Sequence, residues 1–156
     1  MVVVPPRKDY PMSNTATAPA SIEVGLSARS IGPAALPLVG RILIAAIFLL
    51  SGISKITAPA MMIGYIQSVG LPFPTLALII AILIEVGGGI ALILGYRTRL
   101  VAAVMAAFSI ATALAFHNNL ADQNQFIHFF KNVAMAGGLL QVVAFGAGRF
   151  SLDARR

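Results

Sequence analysis

Apolar residues along the chain gather into four long runs, at residues 38–56, 75–94, 100–116 and 126–145, separated by short polar or Pro/Gly-containing stretches. At the rise of an α-helix each run spans roughly 26–30 Å, close to the hydrocarbon thickness of a bilayer. Stretches such as Ile79 to Ile84 and Leu100 to Phe108 leave no polar face for water, which argues against a soluble bundle of amphipathic helices. The pattern predicts an all-α fold, a polytopic membrane four-helix bundle. The connection at 57–74 is longer than a turn and fairly apolar, with Met61, Met62, Tyr65, Ile66 and Leu71. It predicts a short helix that either lies in the outer interface or forms a lid over the mouth of the bundle.

The first 35 residues have a different character. Pro5, Pro6, Pro11, Pro19 and Pro33 interrupt a segment rich in Ser, Thr and Ala with no sustained hydrophobic period, which predicts a disordered or loosely docked tail. The apolar run Val2 to Val4 is too short to be the core of a secretory signal. The expected division is a tail at 1–35, a four-span domain at 36–146 and a basic tail at 147–156.

Composition sharpens this reading. Of 156 residues 58% are hydrophobic and only 10% charged, and the mean hydropathy is +0.90. That supply of polar residues is far too small to cover a water-exposed globule, so a soluble enzyme is excluded. The absence of Cys removes disulfides, thiolate nucleophiles, iron–sulfur clusters and Cys-ligated zinc, so any electron carrier must be borrowed.

The net charge is +6, and its distribution is informative. Arg7, Lys8, Arg29, Arg97, Arg99, Arg149, Arg155 and Arg156 all fall on one side of a four-span topology, while the other side has Lys55 at a helix end. The positive-inside rule then puts both termini in the cytoplasm. The basic charge reflects topology and lipid contact, and no nucleic-acid partner is expected.

Arg41, Glu85 and Lys131 lie inside apolar runs, where an ionisable group costs about 2.5–3.5 kcal/mol unless paired or hydrated. Helical spacing puts Arg41 on one stripe with Phe48, Gly52 and Lys55, Glu85 with Gly88, Gly89 and Leu92, and Lys131 with Ala134 and Gly138. Each charge shares its face with small residues that let membrane helices approach closely, so all three should point inward. The expectation is a polar core in which Glu85, at mid-depth, is flanked by Arg41 from the inner side and Lys131 from the outer side. Glu85 would exchange protons, and Arg41 and Lys131 would stabilise an anion. Asn132, His117, Gly88 and Gly52 would complete the ligand-binding surface. His117 and His128 are not at a helical ligand-pair spacing, and no metal site is expected.

The ordered set Gly40-Arg41, Gly52 and Lys55, Gly70-Leu71-Pro72-Phe73-Pro74, Glu85-Val86-Gly87-Gly88, Gly95-Tyr96-Arg97-Thr98-Arg99 and Phe129-Phe130-Lys131-Asn132-Val133-Ala134 resembles the DoxX family of small bacterial membrane proteins over residues 36–146. The resemblance implies a four-helix bundle in the bacterial inner membrane, linked to redox complexes that exchange electrons with quinone or to detoxifying oxidoreductases. Arg41, Glu85, Lys131 and Asn132 match the polar positions of the pattern. The expected function is a quinone-interacting or accessory subunit of a membrane redox system, with no intrinsic cofactor, a borrowed quinone or quinol, an oxidoreductase partner and the possibility of a homo-oligomer. Two other classes fit the same residues: a non-enzymatic scaffold whose buried charges fix helix register, and a small proton-coupled transporter using Glu85 as carrier.

Overall fold

The computed structural model describes residues 31–156, with side chains from residue 34 onward. The segment expected to be a tail, with Arg7, Lys8 and Arg29, therefore lies almost wholly outside the described residues. The chain forms α1 (Ile31–Thr57), α2 (Pro59–Ser68), α3 (Pro74–Ile82), a π turn (Leu83–Gly87), α4 (Gly88–Leu94), α5 (Thr98–Phe116), α6 (Gln123–Phe145) and a final 3-10 turn (Asp153–Arg155). Helix α3, the π turn and α4 are continuous and form one span. Four segments are long and apolar enough to cross a membrane: Ala34–Thr57, Pro74–Leu94, Thr98–Phe116 and Gln123–Phe145.

The surface confirms what surrounds them. Leu43, Leu50 and Leu83 are each about two-thirds exposed, and bulky apolar side chains cover every span. A protein in water would bury such residues, whereas hydrocarbon accepts them. The interior is built from small residues, chiefly Ala45, Ala102, Ala106 and Ala136, around Phe48, Leu92, Met105 and Leu139. Close helix approach through alanine and glycine is how membrane helices associate when lipid offers no hydrophobic incentive.

Local chemistry sets the ends of the elements. Pro59 and Pro74 occupy first-turn positions of α2 and α3, where the missing N–H costs nothing. Asp122 caps α6 by accepting from Gln125 N at 2.9 Å. The cap of α5 comes from a distant residue: Asp153 accepts from Arg97 N, Thr98 N and Thr98 Oγ1 at 2.7–2.8 Å. The backbone follows, with Leu152 N donating to Leu94 O at 3.0 Å and Asp153 N to Gly95 O at 2.9 Å. Residues 147–156, expected to be a tail, are thus docked across the end of the bundle.

The Thr98 backbone bond, then its hydroxyl, hold the Asp153 carboxyl below the usual range. A depressed carboxylate contributes stability that is complete above its unfolded pKa and disappears as pH falls through the folded value. Asp153→Asn is expected to cost about 1 kcal/mol at neutral pH, as loss of a helix cap does. In thermal melts the gap between variant and parent should close below about pH 4.

Candidate functional site

Opposite the docked C-terminal segment, α1, the α3–α4 span, α5 and α6 splay enough to leave a cavity of about 510 Å³. Helix α2 packs on α3 and forms the roof, with Met62, Tyr65 and Ile66 facing inward. The segment thus packs over the mouth of the bundle, as a lid does, while its outer face, with Met61 and Gln67, stays exposed. The Tyr65 ring rests on Phe116 with centroids 5.4 Å apart, which latches the roof to the end of α5.

Glu85 lies in the wall of this cavity and is only 5% exposed. It sits in the middle of the π turn, a local widening of the helix that is found mostly at functional sites. Its partner is Lys55, whose Nζ stands 2.9 Å from Oε1. Ser51 completes the cluster: its Oγ lies 3.1 Å from Glu85 Oε1 and accepts from Lys55 Nζ at 2.8 Å. The second carboxylate oxygen, Oε2, is buried with no partner among the described residues.

The reason α1 can supply these groups is Gly52. A methyl group added there would stand 2.6 Å from Val86 Cγ2 and 3.3 Å from Glu85 Cβ. Only a glycine lets the backbone of α1 meet the π turn so closely. Gly52 is therefore a contact point between helices and is not among the residues that line the cavity. Gly88 is similar: an added methyl would lie 2.9 Å from Met105 Sδ of α5. Both glycines were expected to bind ligand, and the structure gives both to helix contact.

Arg41 is also placed differently from expectation. It is buried, at 1% exposure, but it lies at the other end of the bundle. Its guanidinium donates to Leu92 O at 2.8 Å, to Ile93 O at 3.1 Å and to Phe150 O. These are carbonyls at the end of α4 and in the docked C-terminal segment, where a cation is favoured. Arg41 thus does not flank Glu85.

Lys131 does line the cavity, although it is exposed and its Nζ pairs with His128 Nδ1 at 3.0 Å. Among the described residues only Lys55 reaches ion-pair distance of Glu85. Asn132 and His117 also line the cavity. Asn132 donates to His128 O at 3.0 Å, and His117 Nδ1 is 2.8 Å from Gln125 Oε1. The His117 and His128 rings stack at 5.1 Å. The polar wall is thus Ser51, Lys55, Glu85, Thr112, His117, Lys131 and Asn132, facing an apolar wall that includes Ile80, Phe108 and Phe116.

Lys55 and Ser51 are the partners of Glu85 that the sequence reading did not assign to it. Their signal was present: Lys55 shares a stripe with Gly52, and Ser51 lies one turn before it. Chemically, the cavity offers one buried acceptor, several donors and a greasy face, an arrangement suited to a small ring with a hydroxyl or carbonyl at its edge.

The DoxX family model matches residues 36–118. The chain is 39% identical over 116 residues to the inner membrane protein YqjF of Escherichia coli K12, an alignment that covers 74% of this chain and 88% of that protein. It is 35% identical over 123 residues to the inner membrane protein YphA of the same organism, covering 76% and 88% of the two chains. No solved structure matches it. With family, spans and relatives in agreement, the chain belongs to the DoxX family and is a multi-pass protein of the inner membrane.

Proposed function

We propose that the cavity under α2 holds the head of a quinol or quinone, and that the protein is a quinone-interacting accessory subunit of a membrane redox system, with both termini in the cytoplasm. The observation that carries the reading is Glu85 Oε2, a buried acceptor at the cavity wall with no donor among the described residues. Leaving such an oxygen unpaired costs about 1–3 kcal/mol, and more when charged, so a ligand that donates a hydrogen bond there is favoured. A quinol hydroxyl is such a donor. Lys131 Nζ and Asn132 Nδ2 supply donors for its second oxygen, His117 Nε2 supplies an acceptor because Nδ1 faces Gln125 Oε1, and Ile80, Phe108 and Phe116 supply the apolar wall for ring and tail.

When bound, the quinone supplies two-electron carriage that no residue of this chain provides. The chain's own contribution is to hold and orient the head, exclude water with α2, and take a proton at Glu85 Oε2 while Lys55 and Ser51 hold Oε1 in place by hydrogen bonds. A partner oxidoreductase takes the electrons when Glu85 takes the proton, and supplies them when Glu85 gives it back. The distribution of arginines supports the orientation: Arg97, Arg99, Arg149, Arg155 and Arg156 all lie at the end opposite the cavity.

A titration of purified protein in nanodiscs with a short-chain quinol, followed by tryptophan-free fluorescence of the quinol itself, tests this. The Lys55→Met/Glu85→Gln double variant removes both charges together and so keeps the fold. It should bind about 10–100-fold more weakly, as expected for a lost bond to a charged acceptor. Equal affinity in parent and variant would refute the site. A second reading, a scaffold in which the Lys55–Glu85 pair only sets the register of α1 against the π turn, is favoured by the tight contact at Gly52. It predicts no saturable quinol binding in either protein.

A further inference from the structure

The end of the bundle opposite the Glu85 cavity has a second recess, of about 580 Å³, between the α4–α5 turn and the docked C-terminal segment. Arg97 and Arg99 form part of its lining, with Gly146 and Gly148 across from them. Gly146, at φ +81°, carries no side chain, and the Arg99 guanidinium lies over the space a methyl group there would fill, with Nε at 3.5 Å and Nη2 at 3.7 Å. The arginine is exposed to the surroundings, with its guanidinium resting against the Gly146 side of the recess.

The charge there is unbalanced. Arg149, Arg155 and Arg156 belong to the same end and the Arg41 guanidinium is buried beneath it, so six guanidinium groups share one side-chain carboxylate, that of Asp153. Asp153 is already occupied by Arg97 N, Thr98 N and Thr98 Oγ1. Among the described residues the sole ion pair is Lys55–Glu85, at the other end. Arg156 stacks over the Tyr96 ring at 4.8 Å, and with Arg156 and Arg97 against it the Tyr96 hydroxyl is held below the ordinary phenol range. A guanidinium presents five donors in a fork suited to phosphate.

The depth of the recess decides what kind of phosphate. It opens where the spans end, beside Leu100 at 58% and Phe145 at 80% exposure, so an occupant with acyl chains can lay them on the helices while its head meets the arginines. Basic pockets at this level between spans suit anionic phospholipid heads. We propose that the recess between the α4–α5 turn and the C-terminal segment binds the headgroup phosphate of an anionic phospholipid through Arg97 and Arg99, the lipid fastening the docked segment to the bundle.

The full chain, equilibrated with vesicles of equimolar phosphatidylcholine and phosphatidylglycerol and released into the gas phase, reports by native mass spectrometry which lipid it keeps. The parent should retain phosphatidylglycerol in preference, and Arg97→Asn/Arg99→Gln should lower that preference roughly thirtyfold. Arg149→Gln/Arg155→Gln removes the same charge outside the recess and should leave it nearly intact. Equal loss in both double variants, or no preference in the parent, overturns the site. If Arg97→Asn/Arg99→Gln does not fold, the parent alone decides: its melting temperature should be higher in phosphatidylglycerol nanodiscs than in phosphatidylcholine ones. Equal temperatures overturn the proposal. So does inorganic phosphate in phosphatidylcholine nanodiscs raising the temperature as much as phosphatidylglycerol, which would assign the recess to a free anion.

Discussion

Lys55→Met alone is expected to destabilise the bundle by about 3–5 kcal/mol, and adding Glu85→Gln is expected to recover most of that loss. The asymmetry comes from burial. Glu85 is 5% exposed and takes Lys55 Nζ on Oε1 at 2.9 Å, so removing the lysine leaves a carboxylate in a low-dielectric wall with only the Ser51 hydroxyl nearby. Removing both charges leaves neutral groups that cost far less. Equilibrium unfolding in mixed micelles, run on both single variants and the double, gives the coupling directly. A single Lys55→Met variant as stable as the parent would mean that the ion pair is not formed in the membrane.

Arg41→Met should cost a comparable amount, about 3 kcal/mol or more, but through a different part of the molecule. The guanidinium joins three carbonyls from two segments, Leu92 and Ile93 at the end of α4 and Phe150 in the C-terminal stretch. Without it the docked segment should loosen first. Hydrogen exchange at the Leu152 and Asp153 amides, which bond to Leu94 and Gly95, should accelerate well before the spans respond. Arg41→Lys should rescue little, because an ammonium cannot serve three acceptors arranged around a planar fork. Unchanged exchange at those two amides in Arg41→Met would contradict this role.

The spans were legible because lipid imposes one strong rule, that every buried backbone group bond within its own helix, and long apolar runs follow. Their ends were legible only where the cap was local. The third span begins at Thr98 instead of 100 because its cap, Asp153, is far along the chain, and no reading of neighbours could supply it. The fourth begins at Gln123 because Asp122 adds a polar first turn to an apolar helix. The first helix starts at Ile31 and runs through Pro37, which reads in isolation as a boundary.

Within the site, Glu85 was legible because a mid-membrane acid cannot reach a surface. Its true partner was not. Lys55 sits at a helix end by residue count, yet the Gly52 contact brings α1 against the π turn, so the lysine stem reaches back to Oε1. Arg41 was assigned to the wrong cluster because the C-terminal residues that carry one of its acceptors read as a tail. The π turn leaves no trace in composition, since one additional residue in a turn changes neither hydropathy nor spacing enough to notice.

That turn also divides the labour of the second span. An additional residue in one turn offsets the two sides of Glu85 by about 100° relative to an uninterrupted helix. Above it, Leu78 and Ala81 are buried and α3 contacts α2 and α1; below it, Gly89 and Leu92 are buried and α4 contacts α1 and α5. The chamber and the structural seam beneath it thereby draw on different faces of the same span. Substitutions that reshape the chamber to suit another occupant need not disturb how the lower half is anchored, so relatives built on the same frame are free to diverge in what they hold.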